Sequence, residues 1–275
     1  MTGIPTLRLN DDRAFPQLGL GVWRASNEEV GDAIAVALDA GYRSIDTAAI
    51  YGNEEGVGRG IAAANVPRDT LFVTTKVWND RQGHDETLAA CDESLHRLGL
   101  DYVDLYLIHW PVPSKDRFVE TWRALIALRD AGKARSIGVS NFTETQLQRL
   151  IDETGVVPAV NQIELNPLMQ QPALRAFHRA HGIITECWSP LTRGKAFEDP
   201  VLTRIATRHG KTAAQIILRW HMQHGLVAIP KSVTPARIRE NVAVFDFALD
   251  DAEMREIDGL DRGQRDGPDP ETFAG

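Results

Sequence analysis

The sequence predicts an α/β chain folded as a single (β/α)8 TIM barrel, with a short N-terminal β-hairpin before it and an irregular C-terminal tail after it. Three observations carry that expectation. Eight short β-rich runs alternate with helical stretches over about 250 residues, a length such barrels take as one unit. The run Val103–His109 holds Leu105, Leu107 and Ile108 in a nearly continuous apolar stretch, as a parallel strand covered on both faces requires. No proline- or serine-rich linker and no low-complexity tract interrupts the series, so one domain is expected over residues 1–275, with 259–275 as the tail near the barrel mouth. A doubly wound open sheet is the competing architecture for the same alternation.

Taken in order, Thr6–Leu9 and Phe15–Leu18 read as the hairpin. Barrel strands follow at Gly19–Gly21, Arg43–Asp46, Leu71–Lys76, Val103–His109, Ala134–Val139, Ala159–Ile163, Ile183–Cys187 and Leu226–Ile229. Ser26 and Glu29 form a capping-box pattern ahead of Val30, Ile34 and Leu38, and Gly41 stands where that helix stops. Leu88, Cys91, Leu95 and Leu98 repeat at helical spacing and end at Gly99. Thr143 with Gln146, and Thr212 with Gln215, repeat the capping pattern, and Thr234-Pro235 sets a cap residue before a proline at the first helical position. Four glycines and two prolines between Gly259 and Gly275 argue against regular structure there, and leave open whether the tail folds over the barrel mouth.

Composition removes whole classes of function. A hydrophobic share of 43% and a charged share of 25% exclude a disordered chain, a collagen-like fibre and a small disulfide scaffold. Thirty basic against 38 acidic residues leave a charge of -8, which argues against nucleic acid as a partner. The opening residues have no apolar core of signal-peptide length and no run of 18 apolar residues occurs, so neither export nor membrane spanning is expected and a cytoplasmic setting is. Cys91 and Cys187 form no CxxC pair and no HExxH motif is present, so no metal site is expected. The Asn141-Phe142-Thr143 sequon then reads as chance. His209-Gly210-Lys211-Thr212 mimics the end of a P-loop, but Ile205 stands where its first glycine is needed. The glycines at 19, 21, 56, 58 and 60 lack Rossmann spacing, so no dinucleotide fingerprint supports a nicotinamide site.

In a (β/α)8 barrel, residues just after the strands gather at one face and form the active site. That rule selects Asp46, Lys76, His109, Ser140, Gln162, Glu164, Glu186, Trp188 and Lys231. Tyr51 lies five positions beyond Asp46 and reaches the same mouth. An aspartate, a tyrosine, a lysine and a histidine together suit proton transfer to a carbonyl. A free tyrosine has a pKa of about 10, and a nearby ammonium lowers it. A carboxylate anchors the ammonium, and an imidazole beside the phenol orients and polarises the substrate oxygen. Each residue has a plainer reading: Asp46 and Lys76 as a structural ion pair, Tyr51 as packing, His109 as a core histidine. A convergence of three at consecutive strand ends favours chemistry.

The run Arg43-Ser44-Ile45-Asp46-Thr47-Ala48 through Tyr51-Gly52-Asn53-Glu54 resembles the first signature of the aldo-keto reductases, and Ile229-Pro230-Lys231-Ser232 through Glu240-Asn241 resembles their C-terminal cofactor signature. Tyr51-Gly52-Asn53-Glu54-Glu55-Gly56-Val57-Gly58 and Val160-Asn161-Gln162-Ile163-Glu164-Leu165-Asn166-Pro167 look most like the bacterial branch containing 2,5-diketo-gluconate reductases. The likeness covers essentially the whole chain. It implies a barrel that binds NADPH/NADP+ without a Rossmann domain, uses no metal, works as a monomer and reduces a small-molecule carbonyl substrate.

Carried over by position, the resemblance makes Tyr51 the general acid, tuned by Lys76 and Asp46, with His109 orienting the carbonyl. Ser140, Asn141 and Gln162 fall on nicotinamide-binding positions and Trp188 on the aromatic stacking position. Ser189 and Leu191 fall on the pyrophosphate path, and Trp23, Trp78 and Trp110 on the substrate pocket. Lys231, Ser232, Arg237, Glu240 and Asn241 fall on the cofactor signature. Lys231, Ser232 and Arg237 also stand beside the helix start at Thr234-Pro235, where cations and unpaired backbone N–H groups suit a 2′-phosphate. Two departures occur: Asn166 replaces a histidine common in related sequences, and the loop Leu191–Pro200 is short, implying a minimal clamp over the cofactor and fast release. Two rival readings stay open. Glu164 and Glu186 are placed as a glycosidase pair if they lie about 5–9 Å apart. A cofactor-loaded barrel can also serve as a non-catalytic binding or regulatory subunit.

Overall fold

The computed structural model describes residues 3–275. The hairpin pairs β1 (Thr6–Arg8) with β2 (Ala14–Pro16) in antiparallel register, Leu7 opposite Phe15. Eight parallel strands follow in strict sequence order: β3 (Leu20–Gly21), β4 (Ser44–Asp46), β5 (Phe72–Val77), β6 (Val103–Ile108), β7 (Ala134–Ser140), β8 (Val160–Glu164), β9 (Ile184–Trp188) and β10 (Val227–Ala228). An open doubly wound sheet would reverse its strand order, and this one does not. The ends meet instead. Leu18 bridges Ala228 and Gly21 bridges Lys231, with Gly19 N donating to Ala228 O at 3.0 Å and Gly21 N to Pro230 O at 3.3 Å. Gly21 permits that closure, since a Cβ there would sit 2.7 Å from the Ile229 carbonyl oxygen.

Among the described residues ten α-helices connect or follow the strands: α1 (Val30–Asp39), α2 (Glu54–Ala63), α3 (His84–Leu98), α4 (Phe118–Asp130), α5 (Glu144–Thr154), α6 (Pro172–His181), α7 (Pro200–His209), α8 (Ala213–Gln223), α9 (Pro235–Val242) and α10 (Asp251–Asp258). The capping box of Thr212 with Gln215 forms in both directions, and at the start of α5 Gln146 Oε1 accepts from Thr143 N at 3.0 Å. Ser26 and Glu29 also exchange hydrogen bonds, at 3.0 and 3.1 Å, but close a turn ahead of the regular helix. Strand ends differ from expectation by one or two residues. β10 is the shortest relative to its apolar run because Pro230 has no N–H to continue the ladder.

Two apolar layers fix where chemistry can occur. The larger packs the helices around the outside of the barrel. The smaller fills its lower interior with Leu9, Phe15, Phe72, Leu105, Leu107, Val160 and Val227, and Phe15 stacks on Phe72 at 4.4 Å. The hairpin therefore plugs the N-terminal end, leaving the C-terminal strand ends as the open face. Beyond α10 the tail carries no helix or strand, as its composition predicts. Among the described residues no helix is long and apolar enough to cross a membrane.

Candidate active site

Asp46 ends β4, Lys76 lies in β5 and His109 directly follows β6, so three adjacent strands deliver them to one mouth. Tyr51 closes a 3-10 turn, Ala49–Tyr51, and the two residues after Gly52 hold that turn in place. Asn53 is fully buried. Its Nδ2 donates to the carbonyls of Val22 and Ala25 at 3.0 and 3.1 Å, and its Oδ1 accepts from Thr47 Oγ1 at 2.7 Å. Glu54 accepts from Thr75 Oγ1 at 2.5 Å and from Arg97 Nε at 2.7 Å. The Tyr51-Gly52-Asn53-Glu54 run thus supplies one phenol and the bonds that fasten it to β5, beside Lys76.

Lys76 is wholly buried. Its ammonium donates to Asp46 Oδ1 at 2.6 Å and to Thr47 O at 2.9 Å, and lies 5.3 Å from the Tyr51 ring centre. Two of its three donors are committed and one remains. Burial pulls the Lys76 pKa down, but Asp46 and Tyr51 push it up and prevail, so the group is a cation at neutral pH. The His109 ring stands edge-on to Tyr51, centres 5.7 Å apart, and edge-on to Trp78 at 5.0 Å. Burial, helped by Lys76, holds its pKa well below the ordinary histidine range, so the imidazole is neutral. For Tyr51 the sequence expectation needs correction. Lys76 does pull the phenol down, yet burial outweighs it and the net shift is upward. Lys76 offsets a desolvation cost here; it does not bring the phenol below its free value.

Asp46, Tyr51 and His109 open into a cavity of about 640 Å³, with Lys76 buried behind its wall. Ser140, Asn141, Gln162, Trp188, Ser189, Leu191 and Lys231 line it, as do Trp23, Trp78 and Trp110. Asn141 takes a left-handed backbone, φ +65°, which asparagine tolerates well. Its Nδ2 donates to His109 O and Ser140 Oγ, while its Oδ1 accepts from Trp188 Nε1 at 2.8 Å. Gln162 Nε2 donates to Asp46 Oδ2 and to Glu186 Oε2, both at 2.8 Å. The amide donors are thus spent within the protein, and the exposed capacity is acceptor: a lone pair on Asn141 Oδ1 and the Gln162 carbonyl oxygen. Two acceptors beside an indole suit a planar carboxamide, whose N–H₂ has two donors.

Further along the cavity, Ser189, Thr192 and Arg193 all have positive φ, near 50°. Three such non-glycine residues within five positions mark a loop held in place by its surroundings, a frequent feature of ligand sites. Lys195 in that loop pairs with Asp266 of the tail at 2.5 Å. Ser232, Arg237, Glu240 and Asn241 do not line the cavity. Ser232 Oγ accepts from Thr234 N at 3.1 Å, and Glu240 accepts from Thr212 Oγ1 at 2.8 Å. Asn241 is buried, whereas Lys231 and Arg237 are exposed and make no ion pair among the described residues. The N-terminus of α9 receives no side-chain cap, so two free cations flank open backbone donors. That arrangement fits a phosphate.

The sequence leaves open whether the tail covers the barrel mouth, and in the structure it does. Gly267, Pro268 and Phe273 line the cavity, and Phe273 packs on Trp110 with ring centres 4.5 Å apart. Gly267 lies so close to Trp188 that a Cβ would meet Cη2 at 2.4 Å. Glu164 anchors the crossing: its carboxylate, fully buried, accepts from the backbone N–H groups of Asp266 at 2.7 Å and Gly267 at 3.0 Å, and faces Arg265 at 3.9 Å. Glu164→Ala is expected to release the tail. Charge-assisted hydrogen bonds of about 1.5–3 kcal/mol each are lost, so trypsin should cut at Arg262 and Arg265 many-fold faster and the substrate KM should rise several-fold. An unchanged cleavage pattern would mean that Glu164 does not hold the tail.

The same contacts remove the glycosidase reading. Glu164 is spent on tail amides and Glu186 on Gln162, both carboxyls are buried, and neither lines the cavity. A pair of that kind has no face on which to receive a sugar.

Comparison with known proteins agrees with this geometry. The model of the aldo/keto reductase family matches residues 17–262. A methylglyoxal reductase DkgA from Salmonella typhimurium is 58% identical over 274 residues, covering 98% of this chain and 99% of that protein. The Escherichia coli K12 protein of the same name is 56% identical over 277 residues, covering all of both. Among solved structures, an aldo/keto reductase from Brucella melitensis superposes with a TM-score of 0.91 at 58% identity, covering 94% of this chain and 100% of that one. A mutant of Gox0644 in complex with NADPH superposes with a TM-score of 0.95 at 48% identity, covering 98% and 99%. A family model matched over most of the chain, full-length relatives above half identity and a shared barrel lead to one conclusion: this chain belongs to the aldo/keto reductase family.

Proposed function

We propose that the protein is an NADPH-dependent reductase that converts small aldehydes, ketones or dicarbonyls to alcohols, with Tyr51 as the proton donor. The observation that carries this reading is the buried Lys76 ammonium, fixed on Asp46 at 2.6 Å and set against the Tyr51 ring, opposite a neutral His109. Such a set is suited to proton transfer at a carbonyl oxygen.

When bound, NADPH supplies the hydride for the carbonyl carbon. Ser140, Asn141, Gln162 and Trp188 would hold its nicotinamide, Ser189 and Leu191 its pyrophosphate, and Lys231, Ser232, Arg237, Glu240 and Asn241 its adenosine 2′-phosphate end. Tyr51 passes its proton to the carbonyl oxygen as negative charge develops there. Lys76 stabilises the phenolate left behind, and Asp46 keeps Lys76 in place. His109, neutral, donates a hydrogen bond that orients the same oxygen. Trp23, Trp78, Trp110 and Phe273 exclude water from the reacting carbon. General acid–base help of this kind contributes roughly 10²–10⁴-fold.

Full-length relatives named methylglyoxal reductases make small dicarbonyls the first compounds to test, with keto-sugar acids as the second class. We take the enzyme to work as a single-domain monomer, as the likeness to the aldo-keto reductases implies, and in the cytoplasm, a reducing setting that suits two free buried thiols. The test is NADPH consumption by purified protein over a panel of aldehydes, dicarbonyls and keto acids, with alcohol product quantified. Tight NADPH binding without turnover on any of them would favour a non-catalytic cofactor-binding barrel.

Cofactor choice gives a sharper expectation. A 2′-phosphate carries about two negative charges, and Arg237 with Lys231 provides exposed, unpaired cations at the start of α9. Arg237→Ala is expected to raise the Kd for NADPH by about 10-fold or more, the loss of one charge-assisted contact, and to leave NADH nearly unchanged. Equal losses for both cofactors would show that Arg237 does not read the phosphate.

A further inference from the structure

Below Asp46 and Lys76, β9 carries a second carboxyl that the reaction as derived leaves unused. Glu186 is fully buried. Its Oε2 accepts from Gln162 Nε2 at 2.8 Å, the nitrogen that also donates to Asp46 Oδ2 at 2.8 Å. Asp46 Oδ1 in turn holds Lys76 Nζ at 2.6 Å. A continuous chain therefore runs Lys76–Asp46–Gln162–Glu186, and it ends on an atom with no partner: Glu186 Oε1 is buried and receives no hydrogen bond.

That open end constrains the protonation of Glu186. An ionised carboxylate is an acceptor on both oxygens, and a buried acceptor without a donor bears the desolvation cost undiminished. The barrel interior offers one ammonium to two carboxyls, and the geometry commits it to Asp46. The neutral acid form of Glu186 removes the larger of these costs, since it needs no counterion and leaves a neutral hydroxyl in place of a bare charge at the open oxygen.

We propose that Glu186 is a positioning residue of this reductase that acts as a neutral acid: by keeping its proton it leaves Asp46 as the one carboxylate facing Lys76, so that the ammonium's field stays available to Tyr51. The inference rests on the reductase reading. The titratable groups coupled to Glu186 are Asp46 from β4, Lys76 from β5, Tyr51 from the turn after β4 and the buried Cys187 thiol next to it on β9. Its partners on the neighbouring strands, Gln162 on β8 and Val227 on β10, do not ionise. Burial pushes the Glu186 carboxyl up to about 8, with Asp46 acting in the same direction and Gln162 and Lys76 opposing. Once ionised, Glu186 pushes the Tyr51 phenol further up. Below a pH of about 8 the site therefore contains one carboxylate and one ammonium. Above it a second negative charge competes for Lys76, the phenolate is disfavoured, and proton donation slows.

Glu186→Gln keeps shape and removes the charge, so it separates these effects in the full-length enzyme. The ratio of kcat at about pH 9 to kcat at about pH 7 is expected to be several-fold higher in E186Q than in wild type, whose profile bends down near pH 8, with KM for NADPH little moved. A purely structural role would lower kcat without changing that ratio, and superimposable profiles would overturn the proposal. The second measurement needs no variant. In wild-type protein carrying ¹³C-labelled glutamate carboxyls, one resonance should titrate near pH 8. If every glutamate titrates in the acidic range, the proposal fails even if E186Q does not fold. The two readings remain separable: an ordinary Glu186 in an active reductase sinks only this inference, and a high-titrating glutamate in a protein that reduces nothing sinks the reductase reading.

Discussion

Tyr51→Phe is expected to lower kcat for carbonyl reduction by at least about 10²-fold, the lower end for loss of a general acid, while the Kd for NADPH stays within about two-fold. The substitution removes one oxygen. Among the described residues the hydroxyl's protein partner is the Lys76 ammonium, which Asp46 and the Thr47 carbonyl continue to hold, so the fold loses little and the ring keeps its edge contact with His109. Melting temperature should therefore match wild type, and the loss can be read as chemistry. Burial holds the phenol above its free pKa, so wild-type Tyr51 is a protonated donor across neutral pH. Near-normal reduction by the variant would remove Tyr51 from the mechanism.

Lys76→Met has the second large effect and acts on two properties at once. The phenol loses the cation that partly offsets its burial, so its pKa should rise further from a value already raised. Reduction should be nearly abolished, with a loss at least as large as that of Tyr51→Phe. Stability should fall as well, because Asp46 is left as a buried carboxylate without its ammonium, and breaking a buried pair from one side costs about 3–5 kcal/mol. A companion variant separates the two. Asp46→Asn combined with Lys76→Met removes both charges, and should recover much of the melting temperature without recovering kcat. Recovery of both together would reduce Lys76 to a structural ion pair.

Much of the barrel is readable from local pattern. Thr143 with Gln146 and Thr212 with Gln215 announce helix starts by hydrogen bonds made within four residues, and a chain segment carries all the information for them. The convergence of Asp46, Lys76 and His109 follows from strand ends alone, because consecutive parallel strands must deliver successive termini to one face. What escaped depends on distant segments. Nothing near Glu164 marks it as the acceptor for backbone groups of Asp266 and Gly267, so its carboxyl looked free for chemistry. Nothing near Phe273 marks its contact with Trp110. The direction of the Tyr51 shift escaped for a related reason: Lys76 is visible in the sequence as a charge, whereas the depth of burial that outweighs it is a property of the whole packed mouth. Ser232, Arg237, Glu240 and Asn241 lie off the cavity, which a motif match has no means of indicating.

The central claim is direct carbonyl reduction by this one chain with NADPH. It is tested most directly by giving the purified enzyme methylglyoxal and NADPH carrying deuterium at both positions of the nicotinamide C4, then locating the label in the product by mass spectrometry and NMR. One deuterium on the new carbinol carbon for each NADPH oxidised is the predicted result. Alcohol without deuterium at that carbon, or NADPH consumed with no alcohol formed, would contradict it.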